Sequence, residues 1–243
     1  MALITKGLDE VQVFDFWYED VLEVLADEAR EKGIEIQTDR KGKPEISFSG
    51  FWSQGDGLAF DADVDWIKFF EAHPKIKEEH VDWYMLLSAN PNDVGYAWRR
   101  HSRYSNSLTG ELETVWGYTD ERVEHGFFAG ELWDDVLENL DEKSFDAAML
   151  SAGEDEAHRM YKALEDEYEF QLEQERERLK EDLIEEHIDA IRAALQPLAT
   201  SGYFGREAVE SDVVDFRDMD ELDLVVRCGS GWLLSKKGLK VVL

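Results

Sequence analysis

The feature that most constrains the fold is a tract at 154–195 that contains neither glycine nor proline. Its apolar residues recur every three or four positions, as along one face of an α-helix. A single helix of about 42 residues would be about 63 Å long, more than the width of a compact domain. The tract is therefore either divided into two packed helices, or it projects and pairs with another chain, including a second copy. The apolar residues are Tyr161, Leu164, Tyr168, Leu172, Leu179, Leu183, Ile188, Ile191 and Leu195.

The same tract is strongly acidic, with fifteen Asp and Glu against five Lys and Arg at 154–189. Carboxylates follow one another about every 3.6 Å along such a helix, close to the spacing of about 3.4 Å between phosphates of one DNA strand. Many lie one turn apart and repel each other, which a basic partner would relieve. A solvated helix without a binding role is the alternative. The candidate partner-binding residues are Glu165, Glu169, Glu173, Glu177, Glu181 and Glu185.

Charge and cysteine content narrow the classes of function. The 243 residues include 56 acidic and 26 basic ones, a formal net charge of −30. Such a charge repels nucleic acid and anionic membranes, so we expect neither as a direct partner. The single cysteine, Cys228, excludes an internal disulfide and a cysteine-based zinc site. With no signal-peptide core and no run of about 18 apolar residues, we expect a cytoplasmic protein.

The remaining sequence predicts an α+β fold with an N-terminal helix packed on an antiparallel sheet of about five strands. Acidic helices, including the long one, and a C-terminal β-hairpin follow. Gly33 is suited to end the first helix. Strand-like alternation gives way to helical spacing near residue 119, which predicts domains at 1–118 and 119–243. Helices are predicted at 9–32, 132–143 and 154–195; strands are predicted at 46–51, 58–66, 81–89, 96–104 and 111–118, and the hairpin at 221–243.

A glycine-rich loop connects the first two alternating segments. Glycines on both sides of Asp56 favour the backbone conformations of a tight turn. Loops that bind phosphate usually carry a lysine and open a helix, whereas this one has no cation and precedes a strand. A structural turn is therefore predicted, with a loop that grips a ligand through its N–H groups as the alternative. The turn residues are Gly50, Ser53, Gln54, Gly55, Asp56 and Gly57.

Asp61, Asp63 and Asp65 alternate with apolar residues and form a second group of candidate partner-binding residues. Their spacing is like the start of a calcium loop, but such a loop needs glycine at its sixth position and glutamate at its twelfth, and neither is present. The six histidines show no metal-binding spacing. We predict no metal site, no cofactor and no catalytic residue. A hydrolase or metal-dependent enzyme centred on Asp56 and these three aspartates stays an alternative.

Residues 48–60 read FSGFWSQGDGLAF. This stretch resembles an F-S-G-F-x-S-Q-G-D-G-A-C-F block in a family of largely uncharacterised proteins from bacteriophages and proteobacteria, often labelled antitoxins of toxin–antitoxin systems. The segments FWYED at 16–20, GIEI at 33–36 and YSNS at 104–107 are similar to further elements of that family. Ala59 and Asn106 stand where the family usually has Cys and His. The resemblance implies that an activity dependent on those residues is lost here.

The sequence therefore predicts a non-enzymatic accessory protein of a phage or mobile element. Its acidic, DNA-mimic-like surface would bind a basic, nucleic-acid-handling protein of host or phage and inhibit or modulate it. An antitoxin that neutralises one specific toxin is an alternative, and the enzyme is another.

Overall fold

The computed structural model describes residues 11–51, 53, 56–89, 91, 94–101, 106–114, 140–201, 204–205, 216–228 and 231–242. The chain forms two compact units: the first unit is Phe16–Glu167, and the second unit includes Tyr168–Leu243. Helices and antiparallel strands occur in both, so the predicted α+β class is confirmed. The predicted domain boundary after residue 118 lies outside the described residues.

The first unit opens with helix α1 (Glu19–Glu31), whose buried residues Leu22, Leu25 and Ala29 lie at helical spacing. The helix begins later than the predicted start at residue 9, because residues 11–18 form an irregular segment and turns. Here the ring of Tyr18 packs edge-on against Phe48, with ring centroids 5.2 Å apart.

Gly33 ends α1, as the sequence predicts. Its φ of +78° is in the left-handed region that favours glycine. A Cβ at this position would lie 2.3 Å from the backbone nitrogen of Phe69. Glycine therefore allows the chain to pass closely under helix α2 (Trp66–Ala72) and enter strand β1 (Ile34–Ile36).

In the described part of the first unit, the antiparallel strands form two sheets. β2 (Ile46–Phe48) pairs with β3 (Leu58–Phe60). The other sheet has the order β1-β4-β5-β6, in which β4 is Ala62–Val64, β5 is Val94–Arg100 and β6 is Leu108–Thr114. The predicted antiparallel pairing is present, but it is divided between these two sheets.

The predicted strand at 81–89 is wrong, because this segment is helix α4 (Val81–Ala89). Trp83, Leu86 and Leu87 are buried, and their spacing places them on one helical face. A short apolar run thus covers the core as a helix. It follows helix α3 (Pro74–Glu79), which has proline at its first position.

The long acidic tract forms α5 (Glu142–Glu186) and α6 (Ile188–Ser201), with a turn at His187. It is therefore divided, and it begins earlier than residue 154 because Asp141 caps α5: its Oδ1 accepts from the Ser144 N–H at 3.0 Å. The apolar side chains that α5 buries in the first unit are Phe145, Met149, Ala152, Ala157, Met160 and Leu164.

In the second unit the predicted C-terminal pair of strands is confirmed: β8 (Val225–Cys228) pairs with β9 (Gly231–Leu234). The predicted extent of 221–243 is too long, because Lys236–Val242 is helical. β7 (Phe204–Gly205) also pairs with β9, and helices α7 (Phe216–Glu221) and α8 (Lys236–Val242) flank the hairpin in sequence. The core residues are Ile184, Ile191, Ala194, Leu195, Met219, Leu222, Leu224 and Val225.

Five predicted elements fall partly outside the described residues. The parts that are not described are 9–10 of the first helix, 102–104 and 115–118 of the strands at 96–104 and 111–118, 132–139 of the helix at 132–143, and 229–230 and 243 of the hairpin. No helix within the described ranges has both the length and the apolarity needed to cross a membrane.

Candidate functional site

The loop between β2 and β3 is closed by the carboxylate of Asp56. This carboxylate accepts hydrogen bonds from the Ser53 N–H at 2.5 Å and from Ser53 Oγ at 2.7 Å. The Asp56 N–H donates to the Ser53 carbonyl at 3.2 Å. The aspartate is therefore joined to Ser53 by both its side chain and its backbone. Gln54 and Gly55, which the sequence also assigns to the turn, lie outside the described residues.

Two hydrogen bonds tie the loop to the rest of the first unit, and a third joins the two ends of the loop. The Tyr161 hydroxyl on α5 donates to the Gly50 carbonyl at 2.7 Å. Asn106 Nδ2 donates to Ser49 Oγ at 2.7 Å, and the Ser49 N–H donates to the Gly57 carbonyl at 3.1 Å. The loop is thus fixed both to α5 and to the segment before β6.

A pocket of about 380 Å³ lies beside this loop, entirely within the first unit. Its volume is in the range of small-molecule sites, about 300–1,000 Å³. Three segments meet there: the end of the loop, the residues that enter β6, and one face of α5. The lining residues are Asp56, Gly57, Leu58, Asn106, Ser107, Leu108, Glu154, Ala157, His158 and Tyr161.

The described lining of the pocket is negatively charged, because it includes Asp56 and Glu154 and no Lys or Arg. Burial raises the pKa of Tyr161, and the charges of Asp56 and Glu165 raise it further. The tyrosine therefore stays protonated and keeps its hydrogen bond to the loop. Across the described ranges, no three His, Cys, Asp or Glu side chains form a group that could hold a metal ion.

Asp61, Asp63 and Asp65 each hold a different part of the fold and do not line this pocket. Asp61 accepts from Arg100 Nη2 at 2.6 Å, and Asp63 accepts from Arg99 Nη2 at 2.9 Å. Burial alone raises the pKa of Asp61, but the hydrogen bonds from Arg100 outweigh it and lower the pKa. Asp65 caps α2 by accepting from its first N–H groups. These predicted partner-binding residues are thus engaged within the protein.

The six predicted glutamates of the long helix differ in their surroundings. Steps of four residues advance by about 40° around a helix, so the row winds over about 200°. Glu165 pairs with Lys162 at 2.7 Å, and Glu177 pairs with Lys180 at 2.8 Å. The remaining four are exposed and form no ion pair with a described residue: Glu169, Glu173, Glu181 and Glu185.

Negative charge is concentrated in the last two turns of α5. Glu181, Asp182, Glu185 and Glu186, which we call the acidic end of α5, are all exposed. None forms an ion pair with another residue in the described part of the chain, and the last turn contains no basic residue. The carbonyl end of a helix favours cations, so these carboxylates stand where a helix tolerates them least.

One side of the acidic end borders a groove of about 340 Å³ in the second unit. Glu181 and Glu185 line this groove together with Arg192, Lys237 and Lys240. These cations partly offset the two glutamates. The other two acidic-end residues are not among the lining residues, so their charge is the less compensated.

Comparison with protein families matches residues 17–174 to a domain of unknown function, DUF8835. The chain belongs to the DUF8835 family. A search of curated proteins and a search of solved structures found no match. The DUF8835 match includes every residue of the pocket beside Asp56 and ends before the acidic end of α5. The pocket therefore lies within the family domain, and the acidic end of α5 lies beyond it.

Sequence reasoning did not bring Glu154, His158 and Tyr161 into one site. Their spacing of four and three residues places them on one face of a helix, and this spacing is the signal that could have indicated a shared surface. The sequence gives no sign that this face meets the loop that holds Asp56, because the contact joins segments far apart in the chain.

Proposed function

We propose that this DUF8835 protein acts by binding, in the cytoplasm, and is not an enzyme. The acidic end of α5 would dock on a basic, nucleic-acid-handling protein of a host or phage and inhibit or modulate it. The density of negative charge at the acidic end of α5 is the observation that most supports this proposal. The four carboxylates lie within about 7.5 Å along the helix axis, and duplex DNA carries about four phosphates in that length. A protein surface that binds phosphates would meet a similar density of charge here.

The unfavourable position of these carboxylates also supports a binding role. An acidic side chain in the last turn of a helix costs about 0.3–1 kcal/mol at low salt. Glu181 and Glu185, and likewise Asp182 and Glu186, lie one turn apart and repel each other. A basic partner relieves both effects, so binding recovers stability that the free protein lacks.

An exposed aromatic ring lies on the same side of α5 as Glu181. Phe170 has 56% of its surface exposed. It precedes Glu181 by eleven residues, which is close to three full turns, so the two residues are about 20° apart around the axis. Aromatic side chains are frequent energetic anchors at protein interfaces. Phe170 therefore offers a partner of the acidic end of α5 an apolar contact, which a helix that serves only to keep the protein soluble would not need.

The proposal is tested with two variants of equal charge. The acidic-end variant replaces the four carboxylates of the acidic end with the corresponding amides. The control variant neutralises four exposed glutamates in the first unit that form no ion pair within the described part of the chain: Glu23, Glu71, Glu78 and Glu79. Each protein is used to capture partners from a bacterial lysate, which mass spectrometry identifies, and the affinity of one purified partner is then measured.

We expect the wild type and the control variant to capture the same basic, DNA-binding protein. The acidic-end variant should bind that partner about tenfold or more weakly, because several charge contacts of a few tenths of a kcal/mol are removed together. Equal weakening by both variants would show that the overall charge of the protein, and not this surface, attracts the partner. Capture of neutral or acidic proteins alone would also contradict the proposal.

A further inference from the structure

The pocket beside Asp56 combines charge with apolar surface. Asp56 and Glu154 supply carboxylates, while Leu58, Leu108 and Ala157 are buried core residues that supply an apolar floor. This mixture differs from the acidic end of α5, which is exposed and almost wholly charged. A ligand that fills the pocket needs both a charged group and an apolar part.

The walls of the pocket are held in place without a ligand. Asp56 is fixed by two hydrogen bonds from Ser53, and Tyr161 by its bond to the loop. Asn106 packs so closely on Gly57 that a Cβ at position 57 would lie 3.0 Å from the Asn106 Cβ. Preformed walls reduce the ordering cost of binding, as in most small-molecule sites.

We propose that this pocket binds a small organic cation, namely an amine or guanidinium group on an apolar stem. The two carboxylates attract the cation, and the described lining residues include no Lys or Arg that would oppose it. The stem lies on the apolar floor and against the Tyr161 ring, whose face also attracts cations. The cation comes either from a free compound or from a Lys or Arg side chain of a bound peptide.

Glu154 is the residue best suited to a test. Asp56 holds the turn, so its replacement would disturb the fold along with the site. The side chain of Glu154 is exposed and forms no hydrogen bond or ion pair with another described residue. Asp155 is its matched control, because it is also an exposed carboxylate on α5 and does not line the pocket.

Butylguanidine, a cation on a four-carbon stem, is titrated into the full chain while the His158 side-chain signals are followed by NMR. A ligand of about eight non-hydrogen atoms should bind with a dissociation constant on the order of 1 mM. We expect Glu154→Gln to weaken binding about tenfold, as for the loss of one charge-assisted hydrogen bond, and Asp155→Asn to change it less than about twofold. Pentanol, which has a similar stem and no charge, should not shift the signals.

An Arg-containing tetrapeptide distinguishes the two sources of the cation. Binding tighter than that of butylguanidine assigns the site to a protein side chain, and equal or weaker binding assigns it to a free compound. Three results would overturn the proposal. The His158 signals do not shift at about 10 mM butylguanidine, pentanol binds equally well, or Glu154→Gln and Asp155→Asn weaken binding equally. The acidic-end variant should bind butylguanidine like the wild type, so failure of one proposal does not decide the other.

Discussion

Gly153 allows α5 to approach Trp98 closely, and its replacement by alanine tests this contact. A Cβ at position 153 would lie 2.4 Å from both Cδ1 and Nε1 of Trp98, far inside the contact distance of about 3.5 Å. Trp98 is fully buried, and its Nε1 donates to the Met149 carbonyl at 2.9 Å. The ring therefore cannot move away without losing packing and a hydrogen bond.

Two effects of Gly153→Ala oppose each other. Alanine has a higher helix propensity than glycine by about 1 kcal/mol. Overpacking of a buried site costs about 1–3 kcal/mol and occasionally more, and an overlap of about 1 Å with two ring atoms puts the cost at the upper end of that range. We therefore predict a net loss of about 2 kcal/mol, which lowers the Tm of a chain this size by about 4–8 °C.

Thermal unfolding followed by circular dichroism measures this change. The control is Ser151→Ala, an exposed position two residues earlier on α5, where helix propensity alone should raise the Tm slightly. If both substitutions raise the Tm, α5 does not pack on Trp98. The position of Glu154, His158 and Tyr161 beside the loop would then be wrong as well.

Buried Glu156 accepts hydrogen bonds from Lys32 at 2.7 Å and Arg159 at 2.7 Å. Burial alone raises the pKa of Glu156, but the bonds from Arg159 and Lys32 lower it below its ordinary 4.5. The ionised carboxylate therefore stabilises the folded protein above about pH 4.5, and this stabilisation is lost as the pH falls through the lowered pKa. Glu156→Gln should reduce the free energy of unfolding by about 1–3 kcal/mol at neutral pH, and this loss should shrink as the pH falls below about 4.5 in urea titrations; a loss that does not change with pH would contradict the ion pair. Replacing Asp182 and Glu186 with amides should raise the Tm at low salt and have little effect at high salt; an equal gain at both would exclude charge repulsion as the cause.

The sequence predicted those elements that are determined by residues close together in the chain, such as turns and alternating strands. The Gly33 helix end and the pairing of Ile46–Phe48 with Leu58–Phe60 follow from turn chemistry and alternation. The segment Val81–Ala89 was predicted wrongly, because a short apolar run does not distinguish a buried helix from a strand. Tertiary packing decides that case: adjacent Leu86 and Leu87 are both buried while Met85 is exposed, whereas a strand would place Met85 on the same face as Leu87.

The two candidate surfaces differ in how far the sequence could indicate them. The charge of the acidic end is visible in the residues themselves, although the pairing of nearby Lys180 with Asp223 is known only from the fold. The pocket depends on contact between α5 and the loop that holds Asp56. No local pattern encodes such a contact, and the spacing of Glu154 and His158 indicates no more than a common helical face.

Competition with DNA tests the binding proposal most directly. The partner used is one that the wild type captures and the acidic-end variant does not. Its complex with the full chain is titrated with a DNA duplex of about 20 base pairs at constant salt. We predict that the duplex displaces the protein, and that added protein in turn releases the partner from DNA. A partner that holds the duplex and the protein at the same time would contradict the proposal that the acidic end of α5 occupies a phosphate-binding surface.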